Sequence, residues 1–157
     1  MESRIEILET KILVGIHKTM SLADNKTPEL WQQFMPRRLE VKNRASSEYF
    51  SMQVYSGREE ALFNPSVLFE KWALVEVANN EDIPDGMEPY FLEGGKYAVF
   101  IHNGPASAAP ETMGYIFGHW LPESEYELDD REHFEILPEG YSPVDPNARE
   151  EVWIPIR

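Results

Sequence analysis

Two glutamates fall, by strand pattern, among aromatic and branched side chains. Glu135 lies between Phe134 and Ile136 in Phe134-Glu135-Ile136-Leu137. Glu151 shares its parity with Trp153 in Glu151-Val152-Trp153-Ile154-Pro155-Ile156. Tyr55 adds a ring on the parity opposite Met52 and Val54, and Phe100 adds one in Tyr97-Ala98-Val99-Phe100-Ile101-His102. A carboxylate withdrawn from water beside ring faces suits a lipophilic cation. The rings attract the cation through their quadrupoles, and the carboxylate supplies a desolvated counter-charge. The same carboxylate could instead activate a water, so Glu135 or Glu151 as general base of a hydrolase is the enzymatic alternative.

Other chemistries lack their residues. The chain of 157 residues has no cysteine, which removes thiolate nucleophiles, disulfides and Cys-ligated metals. The four histidines, His17, His102, His119 and His133, show no metal-ligand spacing. Gly94-Gly95-Lys96 precedes a strand pattern rather than a helix, so it lacks the helix N-terminus of a phosphate loop. No Gly-x-Ser-x-Gly elbow occurs. Neither a metal nor a cofactor is expected.

The net charge is −14, unevenly spread. Residues 1–78 hold 11 acids and 10 bases, a net of −1, and residues 79–157 hold 17 acids and 4 bases, a net of −13. A nucleic-acid surface needs a basic footprint, so direct DNA or RNA binding is not expected. The acid excess reads first as a solvated surface, with a modest tilt toward a cationic ligand or a basic partner. No apolar run approaches the ~18 residues of a membrane span, and the charged N-terminus does not read as a signal peptide, so a cytoplasmic protein is expected.

The elements that would position these residues occur twice. Ile5 to His17 reads as a strand, with Ile12, Val14 and Ile16 alternating against Leu13, Gly15 and His17. A helix opens at Thr27-Pro28-Glu29, carries Leu30, Trp31, Phe34 and Met35, and meets Pro36. Strands follow over Glu48–Ser56, closed by Gly57, and over Lys71–Ala78. Asn79 to Glu93, acidic and rich in Pro and Gly, reads as a connector. A strand at Tyr97–His102, a helix opening at Pro110-Glu111 and stopped by Pro122, and strands at Phe134–Leu137 and Glu151–Ile156 repeat the order. Both helices open Pro-Glu, and both first strands end Ile-His. The fold expected is α+β: two pseudo-symmetric strand–helix–strand–strand modules in one curved antiparallel sheet, helices on one face, a ligand groove between modules. The helix-covered parity is expected to be Ile12, Val14 and Ile16 in one module and Tyr97, Val99 and Ile101 in the other. That leaves Leu13, Gly15, His17, Ala98, Phe100 and His102 to line the groove.

Leu30-Trp31-Gln32-Gln33-Phe34-Met35-Pro36-Arg37-Arg38, Gln53-Val54-Tyr55, Gly95-Lys96-Tyr97-Ala98-Val99-Phe100, Trp120-Leu121-Pro122, Phe134-Glu135 and the final Glu151–Ile156 run, in this order and spacing, resemble the gyrase-inhibitor-like (GyrI-like) effector-binding domain family. This module also forms the C-terminus of bacterial multidrug-responsive transcription activators. The resemblance implies one effector-binding domain over residues 1–157, with module one at about 4–78 and module two at about 94–157. It also implies a lipophilic, often cationic or aromatic ligand held between modules by glutamate and aromatic side chains. Carried over by position, Glu135, Glu151 and Trp153 are the foremost ligand contacts, followed by Tyr55 and Phe100. Some members hydrolyse cyclopropane-containing toxins with a glutamate and an aromatic residue, and others act on gyrase or other proteins, so a protein partner stays open. The activators carry a helix-turn-helix before this module. Here the first strand pattern begins near Met1, and a stand-alone member is expected.

Overall fold

Glu9-Thr10 interrupts the first apolar alternation, and the chain turns there. The computed structural model describes residues 1–55 and 60–157. What reads as one strand is two, β1 (Ser3–Leu8) and β2 (Lys11–Met20). Helix α1 (Thr27–Phe34) runs into a 3-10 segment, Met35–Glu40, at Pro36. Strand β3 (Tyr49–Tyr55), the short helix α2 (Glu60–Phe63) and β4 (Phe69–Val77) complete the first set. The expected strand end at Ser56 and the closing Gly57 lie outside the described residues.

The acidic connector contains a strand, β5 (Glu88–Leu92), before β6 (Gly95–Asn103). A second helix follows in three pieces: α3 (Ala109–Tyr115), a π-helical turn (Ile116–Trp120) and α4 (Leu121–Glu123). Pro122 cannot donate to the Gly118 carbonyl four residues back, and the turn that precedes it is the widened one. Strands β7 (His133–Leu137) and β8 (Arg149–Pro155) end the chain.

All eight strands form one antiparallel sheet in the order β1-β6-β8-β7-β3-β4-β2-β5. The order of elements is thus strand–strand–helix–strand–strand, twice, and the leading strand of each set pairs with the other: β1 on β6, β5 on β2. Two-residue links join β1 to β2 and β5 to β6, each pair six positions apart in the order. Such a link reaches about 10 Å, whereas six strand spacings laid flat cover about 29 Å. The sheet must therefore curl. At the seam Thr10 Oγ1 donates to the Glu93 carbonyl, and Tyr90 Oη donates to Glu132.

Curling gives both faces of the sheet something to pack on. Inside the curl, Leu13, Phe50, Met52, Trp72, Leu74, Tyr97, Val99, Phe134 and Trp153 form one buried cluster with Leu8 and Leu92. On the outer face α1 packs with Val14, Ala73, Val75 and Val77. The 109–123 helix packs there with Ala98, Phe100, Val152 and Ile154. The expected helix-covered set is therefore right in the first half and reversed in the second. Tyr97 and Val99 point into the curl, while Ala98 and Phe100 sit under the helix. The matching Ile-His pairs misled because they are one position out of structural register: His17 faces inward, stacked on Trp72, while His102 faces the second helix and bonds Thr112 Oγ1 at 2.6 Å. A one-residue slip moves every side chain of a strand to its other face. Gly15 does not line a groove. Any Cβ there would overlap the Ala73 carbonyl of β4, so glycine permits this close crossing.

Candidate functional site

The two helices cover opposite ends of the outer face, and β3 and β7, paired at the centre of the sheet, run between them. Register fixes what this central strip displays. Ser51 lies opposite both Ala73 and Glu135, and Gln53 opposite both Lys71 and His133. Glu135 in turn lies opposite Val152, which puts Glu150, two residues earlier on β8, on the same face. The floor is therefore polar: Ser51, Gln53 and Tyr55 from β3, Lys71 from β4, His133 and Glu135 from β7, and Glu150 from β8. Tyr141, packed with the α1 cluster, lies beside Glu150.

Glu135 is half-buried and accepts a hydrogen bond from Gln53 Nε2 at 3.1 Å. Among the described residues no cation lies within ion-pair distance of it. Glu150 is 8% exposed. Burial and then the charge of Glu135 hold its carboxyl above the usual range, against the Tyr141 hydroxyl, His102 and Lys71, which favour the charged form. Burial pushes the Lys71 ammonium down, while Glu135 and Glu150 pull it up. Tyr55 is held protonated by burial and then by the nearby Glu135 charge. His133, edge-on to Tyr55 at 5.2 Å, is driven to about 3 by burial and then by Arg131, so it is a neutral ring. Tyr55 also lines a cleft of about 330 Å³ with Phe69, Leu68 and Glu70 at the ends of β3 and β4. The arrangement offers an acceptor, a buried cation, amide and hydroxyl groups and flanking rings.

Of the residues singled out from sequence, the structure brings Glu135 and Tyr55 together on this strip. Glu151 and Trp153 lie on the other face. Trp153 stacks on Phe134, centroids 5.2 Å apart, and donates through Nε1 to Glu151 at 3.1 Å, while Glu151 also pairs with Arg4 at 3.1 Å. Phe100 is fully buried under the second helix, edge-on to Trp120 at 5.0 Å. The strand pattern does not separate the two faces here: in β8 both parities are apolar after Glu151, and Glu150 and Glu151 stand side by side. Sequence reading also passed over Lys71, whose signal was present: a lysine on the parity of Phe69, Ala73, Val75 and Val77. His133, Gln53 and Tyr141 carried no comparable signal.

The chain, a strand–strand–helix–strand–strand order given twice in one sheet, matches the GyrI-like small molecule binding domain over residues 1–157. It belongs to that family. It is 29% identical over 157 residues, 99% of its length, to the transcriptional regulator BrlR of Pseudomonas aeruginosa, and it spans 56% of that protein. In fold it is similar to SAV2435, whose structure is bound to tetraphenylphosphonium (TM-score 0.72, 18% identity, covering 100% of this chain and 94% of the other). It is equally similar to the EcmrR C-terminal domain (TM-score 0.71, 12% identity, covering 99% and 97%). Among the described residues no helix is long and apolar enough to cross a membrane.

Proposed function

We propose that this domain binds lipophilic aromatic cations on the strip between its helices, with Glu135 as the counter-charge and Tyr55 as a flanking ring. The observation that carries the reading is Glu135 itself. It is a carboxylate at the centre of the sheet, half withdrawn from water and held in place by Gln53, with no described cation in contact. Such a group is costly unless it meets a positive charge, and a ligand that brings one in a hydrophobic shell gains both charge pairing and ring contacts. Tetraphenylphosphonium, the ligand of SAV2435, fits this description and supports the reading. The relation to BrlR supports a role in which ligand occupancy is read out by transcriptional machinery.

Calorimetric titration with tetraphenylphosphonium tests it. Glu135→Gln keeps shape and removes the charge, and the expected loss of affinity is at least tenfold, about 1.4 kcal/mol. Equal affinity in the wild type and Glu135→Gln would overturn the assignment of the counter-charge.

A further inference from the structure

Lys71 is the group on this strip that a simple cation site does not need. It is 5% exposed, on a strand whose other outer-face residues, Phe69, Ala73, Val75 and Val77, are apolar. Among the described residues no hydrogen bond or ion pair ties its ammonium, and burial holds it below the usual lysine range against the nearby Glu135 and Glu150, which favour its charge. A permanent cation entering to meet Glu135 would bring like charge toward Lys71. A buried ammonium is stabilised by an acceptor at hydrogen-bond distance, but its neighbours across the two adjacent strands are the Gln53 amide and a second cation, Lys18, with the neutral His133 ring one strand beyond Gln53.

We infer that Lys71 makes this domain selective for aromatic ligands that join a cationic ring system to a carboxylate or other strong acceptor, the cation meeting Glu135 and the acceptor meeting Lys71. The inference rests on the proposed binding strip and narrows its ligand class from lipophilic cations to zwitterions. Two charges on the ligand then answer two charges on the protein. Neither Glu135 nor Lys71 is left unpaired in the complex, which is the condition under which buried charges are tolerated. A neutral residue at position 71 would remove the acceptor-reading half and leave the counter-charge intact.

Rhodamine 110 and rhodamine 123 form a matched pair of probes. They share one xanthylium cation and differ only in a free carboxylate against its methyl ester. Fluorescence anisotropy with the full chain is expected to show rhodamine 110 binding at least tenfold more tightly than rhodamine 123. Lys71→Met should erase that preference by weakening rhodamine 110 and strengthening rhodamine 123, and Lys71→Arg should keep it. Lys71→Gln serves as the neutral variant if Lys71→Met does not fold, as judged by far-ultraviolet circular dichroism. If both dyes bind in a Glu135-dependent way but their ratio is the same with and without a cation at 71, the selectivity role of Lys71 is overturned and the binding strip stands. If neither dye nor tetraphenylphosphonium binds the wild type, both fall.

Discussion

Phe100 separates a ligand contact from a core residue, because sequence and structure give it different jobs. Its ring is fully buried, edge-on to Trp120, within a cluster that includes Ile116, Val152 and Ile154. Phe100→Ala removes the ring and leaves a hole. The surroundings cannot close it easily, because the backbone at Phe100 is paired on both sides, to Ser3 of β1 and to Val152 of β8. A site that cannot collapse belongs at the upper part of the range for such substitutions, about 3–5 kcal/mol. For a chain of this size each kcal/mol lowers the midpoint by about 2–4 °C, so a fall of roughly 6–20 °C is expected. The assay is thermal and urea unfolding by circular dichroism, followed by tetraphenylphosphonium titration well below the midpoint. The folded variant should bind within about threefold of the wild type. A midpoint within about 2 °C of wild type together with a tenfold or larger loss of affinity would refute the placement of Phe100 under the helix.

Gly15→Ala should be more damaging than its size suggests, because its Cβ would meet the Ala73 carbonyl of a paired strand rather than a side chain that can move; a loss of at least about 2 kcal/mol in urea unfolding, or loss of soluble protein, is expected. Glu151→Gln removes a partly exposed pair with Arg4, should cost under about 1 kcal/mol, and should leave tetraphenylphosphonium affinity unchanged, in contrast to Glu135→Gln. His133 has a folded pKa of about 3, below its unfolded value near 6.5, so the stability linked to it is complete above pH 6.5 and is lost as pH falls toward 3. Between pH 6 and 5 the stability difference between wild type and His133→Gln should change by up to about 1.4 kcal/mol per pH unit, measured by urea unfolding. A constant difference would show that the ring can be protonated in the folded state.

The sequence by itself determined that a strand, a helix and two strands recur in each half, though not the extra leading strand of each set, because helix starts at Pro-Glu, proline stops near Pro36 and Pro122 and β-branched alternation are local signals. It also determined that Glu135 sits in mid-strand among apolar neighbours. It did not show β5, whose five residues lie in a stretch whose Pro and Gly read as turn and whose pairing with β2 is purely long-range. Nor did it assign the faces. In an ordinary two-layer sheet the polar parity marks the outside, but here the two-residue links at Glu9-Thr10 and Glu93-Gly94 force a curl that buries the inner face while the helices bury the outer one. Strands buried on both sides lose the alternation that distinguishes them. Only the strand register decided that Glu135 and Glu150 share the strip with Lys71, while Glu151 and Trp153 turn away from it and Phe100 lies buried under the second helix.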